Sequence, residues 1–401
     1  MGAYWTIPLI CLALTSCVAG PTAAKENNLP AGSLDPETSL PVVADLAPYG
    51  GSEPPGVEFS SDGQYVLCWW LPRPPIGDYH RILGRCVVFD LQANVVGAAT
   101  NLAGQLAPEF VMKFKTTAVR QHFADFLKGT NNVDTLVWGF SQDYAMGFRT
   151  LGEREHHFAK GIAELWRFAP RWDRIWACPT PETGDYTGIA VFLGSAPDDT
   201  LLLAYRASNK AYVLSLRDGR VADSFTYGKP ETEADELAYK RKFHLAGEMG
   251  DPSLGFYAGP LSFDAARRLL ACGASYGRRI RVVNVDKPHN VIFEARTNDN
   301  PERPLGGSWS VDSVHFDAGG RYLVTESNFG GRLTRKYLNP VEIYDTASWR
   351  VVWSCEAKGI PRGSPPRISP DGKTIALARG ARLEIGPFVP KPAGKSATGA
   401  K

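Results

Sequence analysis

Four stretches of the chain repeat one pattern: the end of a strand, a tight turn rich in Asp and Gly, and then an alternating apolar strand. They are FSSDGQYVLCWW (59–70), FDAARRLLACGA (263–274), FDAGGRYLVTES (316–327) and ISPDGKTIALAR (368–379). The last three begin at positions 263, 316 and 368, which are 53 and 52 residues apart. Short strands repeated at a period of this order are typical of a β-propeller. The repeats therefore predict an all-β fold.

Strand-like segments extend this pattern along the chain. They are rich in Val, Ile, Tyr, Phe and Trp and are separated by Asp, Gly, Pro and Asn. Five sets of four can be grouped: 56–60, 65–71, 85–91 and 94–99; 135–140, 144–150, 163–168 and 174–178; 188–193, 200–206, 211–216 and 220–227; 259–264, 268–274, 279–286 and 290–296; 311–317, 321–326, 340–345 and 350–356.

A sixth set has three such segments, at 366–370, 374–379 and 382–386. Its missing outer strand can come from the N-terminal run PVVADLA at 41–47. A ring of blades must close in this way, because an open blade leaves an unpaired edge. We expect a single β-propeller of six four-stranded blades over residues 41–390, with seven blades as the alternative.

Two insertions interrupt the period. Residues 108–127 carry apolar side chains at helical spacing, with Pro108 at the start and Gly129 just past the end. Residues 230–245 begin with proline and acids and end with bases, as a helix dipole favours. Both segments predict helices. Insertions in repeat folds often lie on the binding face, and the alternative is that these helices only cover an apolar patch.

The N-terminus has the features of an export signal. Residues 7–14 form an apolar run that is too short to span a bilayer and fits a signal-peptide core. Leu14-Thr15-Ser16-Cys17 follows and resembles the bacterial lipobox, although no Lys or Arg precedes the run. The resemblance implies lipid attachment at Cys17 and a membrane-anchored lipoprotein of the cell envelope. Plain secretion or periplasmic export after cleavage behind Gly20 or Ala24, N-myristoylation at Gly2 and a frayed apolar tail are the alternatives.

The segments flanking the expected propeller are polar and lack periodicity. We expect residues 1–24 to be the signal peptide, 25–40 a flexible tether and 391–401 a disordered tail. The net charge of +2 is too small for a surface that follows nucleic-acid phosphates. We therefore expect no nucleic-acid partner, and membrane contact only through the N-terminal lipid.

Five cysteines follow the leader, and they form no CxxC pair or zinc-type spacing: Cys68, Cys86, Cys178, Cys272 and Cys355. Cys68 and Cys272 occupy equivalent repeat positions, where a free cysteine acts as a small apolar side chain. A Cys68–Cys86 disulfide across a hairpin is the alternative, which an exported protein would permit.

The repeats resemble the WD40 family. Asp residues end third-strand segments in VVFD (87–90), VNVD (283–286) and EIYD (342–345), and S-x-D-G turns occur at 60–63 and 369–372. No Gly-His dipeptide opens a repeat, and Phe, Val or Tyr stands where the family has Trp before the Asp. The chain thus resembles a bacterial WD40-like or YVTN-like propeller, and the family's buried Asp-His-Ser/Thr-Trp network has no counterpart.

No catalytic, cofactor-binding or metal-binding set emerges, so Cys17 is the only site residue that we predict. His156 and His157 lie close to Glu153 and Glu155, but neighbours in sequence cannot all face one metal ion, and a solvated loop explains them. Ser208, Asp218 and His244 lack a nucleophile elbow of the G-x-S-x-G type. Abundant tryptophans fit packing between blades or a ligand surface: Trp69, Trp70, Trp138, Trp166, Trp172, Trp176, Trp309, Trp349 and Trp353.

The innermost strands separate the two classes of function that remain. The pairs expected there are Val57-Glu58, Leu136-Val137, Ala190-Val191, Leu261-Ser262, Ser313-Val314 and Arg367-Ile368. With one acid (Glu58) and one base (Arg367), they lack the acid/base pair that a channel enzyme needs. The sequence favours a non-catalytic scaffold, without a cofactor, that binds a protein or an envelope glycan. A glycosidase, lyase or dehydrogenase that uses the central channel is the alternative.

Overall fold

The structure is a computed structural model, and most of the strand-forming chain is described in it. The described residues are 40–50, 55–70, 85–99, 110, 113–114, 123, 126, 135–140, 144–150, 161–168, 171–181, 187–192, 200–205, 210–227, 260–273, 279–296, 307–331, 337–358, 364–379 and 381–391. The leader, the tether before Leu40 and the tail beyond Lys391 lie outside them, so the predictions for these segments stay predictions. No helix in the described part is long and apolar enough to cross a membrane.

The described part of the chain starts with β1 (Val42–Asp45) and a single helical turn, α1 (Ala47–Gly50). Sheet 1 contains β2 (Gly56–Phe59), β3 (Tyr65–Trp70), β4 (Arg85–Asp90) and β5 (Val95–Ala99). Sheet 2 contains β6 (Thr135–Phe140), β7 (Tyr144–Thr150), β8 (Gly161–Phe168) and β9 (Trp172–Pro179). Sheet 3 contains β10 (Thr187–Phe192), β11 (Thr200–Tyr205), β12 (Lys210–Ser215) and β13 (Val221–Thr226).

Sheet 4 contains β14 (Leu261–Asp264), β15 (Leu269–Gly273), β16 (Arg279–Asn284) and β17 (Lys287–Arg296). Sheet 5 contains β18 (Gly307–Phe316), β19 (Tyr322–Gly331), β20 (Tyr337–Asp345) and β21 (Arg350–Lys358). Sheet 6 contains β22 (Ser364–Ile368), β23 (Thr374–Arg379) and β24 (Arg382–Pro387). Its fourth and outermost strand is β1.

Each sheet is an antiparallel meander in which neighbouring strands pair in chain order. Sheet 6 departs from this only at its edge, where Val42 pairs with Ile385 and Asp45 with Arg382. The Leu46 N–H extends the pairing by donating to the Ala381 carbonyl at 2.7 Å. The prediction that an N-terminal strand completes the last set is confirmed. All-β architecture is also confirmed, and the four-stranded sheets are the blades of a β-propeller.

The middle strands are buried on both faces, because each sheet packs between two others. In β15, Leu270 and Cys272 belong to an apolar cluster shared with sheet 3, whereas Leu269 and Ala271 belong to one shared with sheet 5. Similar clusters join sheets 2 and 3, sheets 5 and 6, and sheets 6 and 1. One strand can contribute to two apolar clusters in this way, since successive side chains point to opposite faces of the sheet.

Aromatic residues of the first insertion occupy the border between sheets 1 and 2. Phe110 and Phe114 are buried against Leu67 and Val88 of sheet 1. On the other side, Phe123 and Phe126 contact the Trp166 ring of sheet 2, at centroid distances of 6.1 and 5.3 Å. Most of the helix predicted at 108–127, and all of that at 230–245, lies outside the described residues.

Both ends of the described chain meet at the border of sheets 5 and 6. Leu40 packs against the cluster that contains Val352 and Phe388. The Lys391 N–H donates to the Val352 carbonyl at 2.9 Å. The first and last described residues are therefore held against the same cluster.

Removing the N-terminal strand should destroy cooperative folding. A chain that begins at Gly50 loses β1 and Leu46, which leaves the edge of β24 unpaired and uncovers the cluster between sheets 6 and 1. Removal of only the residues before Leu40 should leave the thermal transition unchanged. Calorimetric melting of the two truncated chains checks this, and a Gly50 chain that melts like the full protein would contradict it.

Candidate functional site

Four equivalent positions on the innermost strands carry polar side chains. Each lies two residues before the serine or aspartate that opens the first turn of its sheet: Glu58, Ser262, His315 and Arg367. In a propeller these strands surround the central axis, which is where a channel enzyme places its reacting groups. The geometry of these four side chains therefore decides what chemistry the centre can support.

Three of the four side chains are bonded to the backbone of the next sheet. The Ser262 hydroxyl accepts from the Phe316 N–H at 3.0 Å, which joins sheet 4 to sheet 5. His315 Nε2 lies 2.9 Å from the Pro366 carbonyl, which joins sheet 5 to sheet 6. Arg367 Nε donates to the Val57 carbonyl at 3.1 Å, which joins sheet 6 to sheet 1. These side chains connect the sheets in ring order.

His315 is not in the inner pair predicted for this sheet, which is Ser313 and Val314. That pair follows from a position counted from the start of the strand. β18 carries a bulge between Val311 and Ser313, which displaces such a count. Counting back two residues from Asp317, which opens the turn, would have found it.

The two S-x-D-G turns have the same hydrogen-bond network. Ser60 Oγ donates to Asp62 Oδ1 at 2.6 Å and accepts from the Tyr65 N–H at 3.0 Å. Ser369 Oγ donates to Asp371 Oδ1 at 2.6 Å and accepts from the Thr374 N–H at 2.9 Å. Short side chains that bond nearby backbone groups fix turns of this kind. The motif therefore sets the hairpin geometry and is not a ligand site.

Hydrogen bonding keeps the carboxylates of these turns ionised. Burial alone would raise the pKa of Asp62, but bonds from Ser60, Lys113 and the Gln64 N–H lower it to about 2. The pKa of Asp371 is also lowered, chiefly by the bond from Ser369. Lys113 links the Asp62 turn to the first insertion, with its Nζ 2.9 Å from Asp62 Oδ2.

A further network locks the first turns of sheets 4 and 5 together. Arg267 Nε lies 2.6 Å from Asp264 Oδ2. The same guanidinium bonds the Gly320 carbonyl and reaches Thr346 Oγ1 at 2.8 Å. Asp264 is buried and Arg267 is partly exposed, so the pair closes the outer surface of this border.

Strand direction gives the two ends of the sheets different connections. The first-to-second and third-to-fourth connections form one end, which we call the turn end; its described turns are short, as at 60–64, 91–94, 317–321 and 346–349. The opposite end, which we call the connector end, includes the longer connections 71–84 and 227–260. Long connections in propellers carry binding residues more often than tight turns do.

The remaining candidates from the sequence show no converging site within the described residues. Glu153, Glu155, His156, His157, Ser208 and His244 lie outside them. Asp218 is exposed, and its pKa is lowered mainly by the N–H of Arg220 in its own turn. Among the described side chains, no group of three His, Cys, Asp or Glu is placed to hold a metal ion.

The strand-ending aspartates act in turns, and one of the three was misassigned. Asp90 Oδ1 accepts from the N–H groups of Gln92 and Asn94 at 2.9 and 2.8 Å. Register puts Asn284, and not Asp286, at the equivalent position of sheet 4, because Asn284 pairs with Leu269 as Asp90 pairs with Tyr65. Asn284 Oδ1 takes over the same role by accepting from the Asp286 N–H at 2.8 Å. Asp286 instead pairs with Arg268 Nε at 2.7 Å.

Strand register also excludes the alternative disulfide. Cys86 pairs with Trp69, so Cys68, one residue earlier, points to the opposite face of sheet 1. Cys68 packs towards sheet 6 and Cys86 towards the first insertion. Burial raises the pKa of the Cys86 thiol to about 12 and that of Cys272 likewise, so both behave as small apolar side chains.

The described tryptophan side chains mostly fill borders between sheets, in agreement with the packing interpretation. Trp176 is buried between sheets 2 and 3, and its Nε1 donates to the Leu216 carbonyl at 2.8 Å. Trp349 stacks on Phe293 of sheet 4 at a centroid distance of 4.7 Å. Five others lie in or against border clusters: Trp69, Trp70, Trp166, Trp172 and Trp353. The side chains of Trp138 and Trp309 lie outside the described set.

Comparison with known proteins gives similarity at low identity only. No family model and no curated protein matches the chain. Sqt1 of Saccharomyces cerevisiae is similar with a TM-score of 0.40 at 10% identity, covering 88% of this chain and 99% of that one. The Cps50 (Swd1) β-propeller domain of Myceliophteria thermophila gives 0.34 at 10% identity (86% and 98%), and BamB from Moraxella catarrhalis gives 0.32 at 10% (83% and 84%). The fold assignment rests on the sheets and registers above.

Gly320 tests the lock between sheets 4 and 5. It has a φ of +66°, and a Cβ there would overlap the Asp264 carboxylate. Gly320→Ala should lower the free energy of unfolding by at least about 1–2 kcal/mol.

Gly372, at the same position in the first turn of sheet 6, supplies the matched control. It has a φ of +72°, and an added Cβ would meet Arg321 Nη1 at an ordinary contact distance of 3.7 Å. Gly372→Ala therefore carries the backbone strain alone and should cost less stability than Gly320→Ala. Urea unfolding of both variants measures the difference, and equal losses would show that no lock exists.

Proposed function

We propose that the chain forms a closed six-bladed propeller that acts as a non-catalytic binding scaffold in the cell envelope, with a protein or an envelope glycan as its partner. Six four-stranded sheets occur among the described residues, and apolar clusters follow one another from sheet to sheet. At the border of sheets 1 and 2, aromatic residues of the first insertion pack against each of the two sheets. These contacts support closure of the ring with six blades. That the two insertions are helical stays a prediction.

The observation that carries the scaffold proposal is the use made of the inner polar side chains. A general acid or base must be free to reach a substrate. Ser262, His315 and Arg367 are instead bonded to the backbone of the next sheet. Their bonds stiffen the centre, and a rigid ring can present connections with little ordering cost on binding.

We propose that the partner binds at the connector end. The turn end is occupied by short hairpins whose polar side chains bond their own backbone, so few groups remain there to adapt to a ligand. The longer connections, including 227–260, join strands at the opposite end. Function in propellers with such loops resides on the loop-bearing face.

Crosslinking in the native envelope tests the scaffold proposal. Full-length protein should yield a defined crosslinked partner, and replacement of 230–245 by a Gly-Ser linker should abolish it. Arg217→Glu, at the exposed turn end, is the control and should leave the yield unchanged. Loss of crosslinking in both variants would contradict the assignment to the connector end. Turnover in a glycosidase, lyase and dehydrogenase screen that Glu58→Gln abolishes would establish the enzyme alternative.

We further propose that Cys17 carries the lipid that tethers the protein. The supporting pattern is Leu14-Thr15-Ser16-Cys17 after a short apolar run. Cys17→Ala should move the protein from the membrane to the soluble fraction, because loss of the acyl chains removes the anchor. Intact mass spectrometry of wild-type protein provides the check. A chain with Met1 retained and no lipid mass would overturn this proposal.

A further inference from the structure

His315 joins two sheets through one ring nitrogen only. It lies in β18 of sheet 5, is 9% exposed, and has its Nε2 2.9 Å from the Pro366 carbonyl of sheet 6. A carbonyl oxygen only accepts, so Nε2 must carry the proton. The neutral ring therefore holds its lone pair at Nδ1.

Nδ1 of His315 is buried and has no hydrogen-bond partner among the residues that the structure describes. In the neutral ring this leaves one weak acceptor unsatisfied. Protonation would replace it with a charged N–H donor that has no acceptor, and a buried charge without a partner is far more costly than a buried lone pair. The site thus tolerates one protonation state and disfavours the other.

The groups packed near His315 include one cation, which opposes protonation, and two acids of its own sheet. β22 presents Arg367, whose charge disfavours a second cation, and β23 contributes Ile375 to the same border. On β19, Val324 pairs with His315, and Tyr322 and Glu326 lie on the same face as Val324. Asp317, which directly follows β18, accepts from the Tyr322 N–H at 2.7 Å.

We propose that His315 is an acid-sensitive joint: protonation at Nδ1 loosens the border between sheets 5 and 6. Both described chain ends lie at this same border, and sheet 6 also contains β1, so acid would loosen the border that holds the two ends. The proposal does not depend on the identity of the partner or on export.

The direction of the pH effect follows from burial. Desolvation, then Arg367, lower the pKa of His315 well below its ordinary 6.5 in the folded protein. The unfolded chain therefore binds a proton first as pH falls. The stabilising effect of the neutral ring is complete above 6.5 and is lost as pH decreases towards the lowered folded pKa, by up to about tenfold in the folded-to-unfolded ratio per pH unit.

Denaturant unfolding at about pH 7.5 and about pH 5.5 tests the joint. Between these pH values, the folded-to-unfolded ratio of the wild-type protein should fall about tenfold further than that of His315→Gln. This variant keeps an N–H donor for the Pro366 carbonyl but cannot titrate. His289→Gln, in β17, is the histidine control and should retain the wild-type pH dependence. Glu326→Gln should retain it too, which separates His315 from the acid on the facing strand.

Two wild-type measurements keep the proposal testable if a variant fails to fold. Histidine-ring NMR should show one ring that stays neutral well below pH 6.5, and the hydrogen-exchange protection factors of β18 and β22 should fall with acid more than those of β11. A His315 ring that titrates at its ordinary value, or His315→Gln with unchanged pH dependence, would overturn the proposal. A pH dependence lost only in Glu326→Gln would do the same.

Discussion

Packing of each sheet between two neighbours is the constraint on which the rest of this structure depends. Leu270 and Cys272 face one neighbour while Leu269 and Ala271 face the other, so sheet 4 has no solvent face on its second strand. A meander with two apolar faces cannot be stable alone, because either face would be exposed to water. Each sheet is therefore stable only with a neighbouring apolar surface packed against both of its faces.

Sheet 1 packs against its two neighbours in two different ways. Between sheets 6 and 1, a direct apolar cluster forms, and β1 supplies the edge strand that the C-terminal repeat lacks. Between sheets 1 and 2, Phe110 and Phe114 face one side and Phe123 and Phe126 the other. An insertion that looks like a departure from the repeat is thus part of the packing that the repeat demands.

Most of the architecture could be predicted from sequence, because its signals are local. The repeated strand-turn-strand segments predict which strands share a sheet, and the predicted bounds of β23 (Thr374–Arg379) agree with the structure at both ends. What failed depended on register. Asp286 is predicted at the strand end that Asn284 occupies, and a Cys68–Cys86 disulfide is an alternative that the register excludes. Pairing across a hairpin is set by turns and bulges that composition does not show.

The candidate site was harder to predict for a related physical reason. Ser262 and Arg367 were identified at the centre, but their bonds to the next sheet join residues more than fifty positions apart in sequence. The bulge between Val311 and Ser313 shifts the positions counted along β18, so the predicted inner pair does not include His315. Such contacts arise from the stacking of sheets, and no short motif encodes them.

The meeting of Leu40 and Lys391 at one cluster has a consequence for how the chain order could be rearranged. Sheets 6 and 1 share an apolar cluster, and the covalent break lies within sheet 6, between β24 and β1. A circular permutant that joins these two ends and opens the chain at the exposed Ala347–Ser348 turn would keep every strand pair of sheet 6 within one continuous hairpin series. The sheet that is completed by pairing of the two chain ends would then be sheet 5 and not sheet 6. Which sheet holds the break is therefore set by the order of the chain and not by the packing of the sheets.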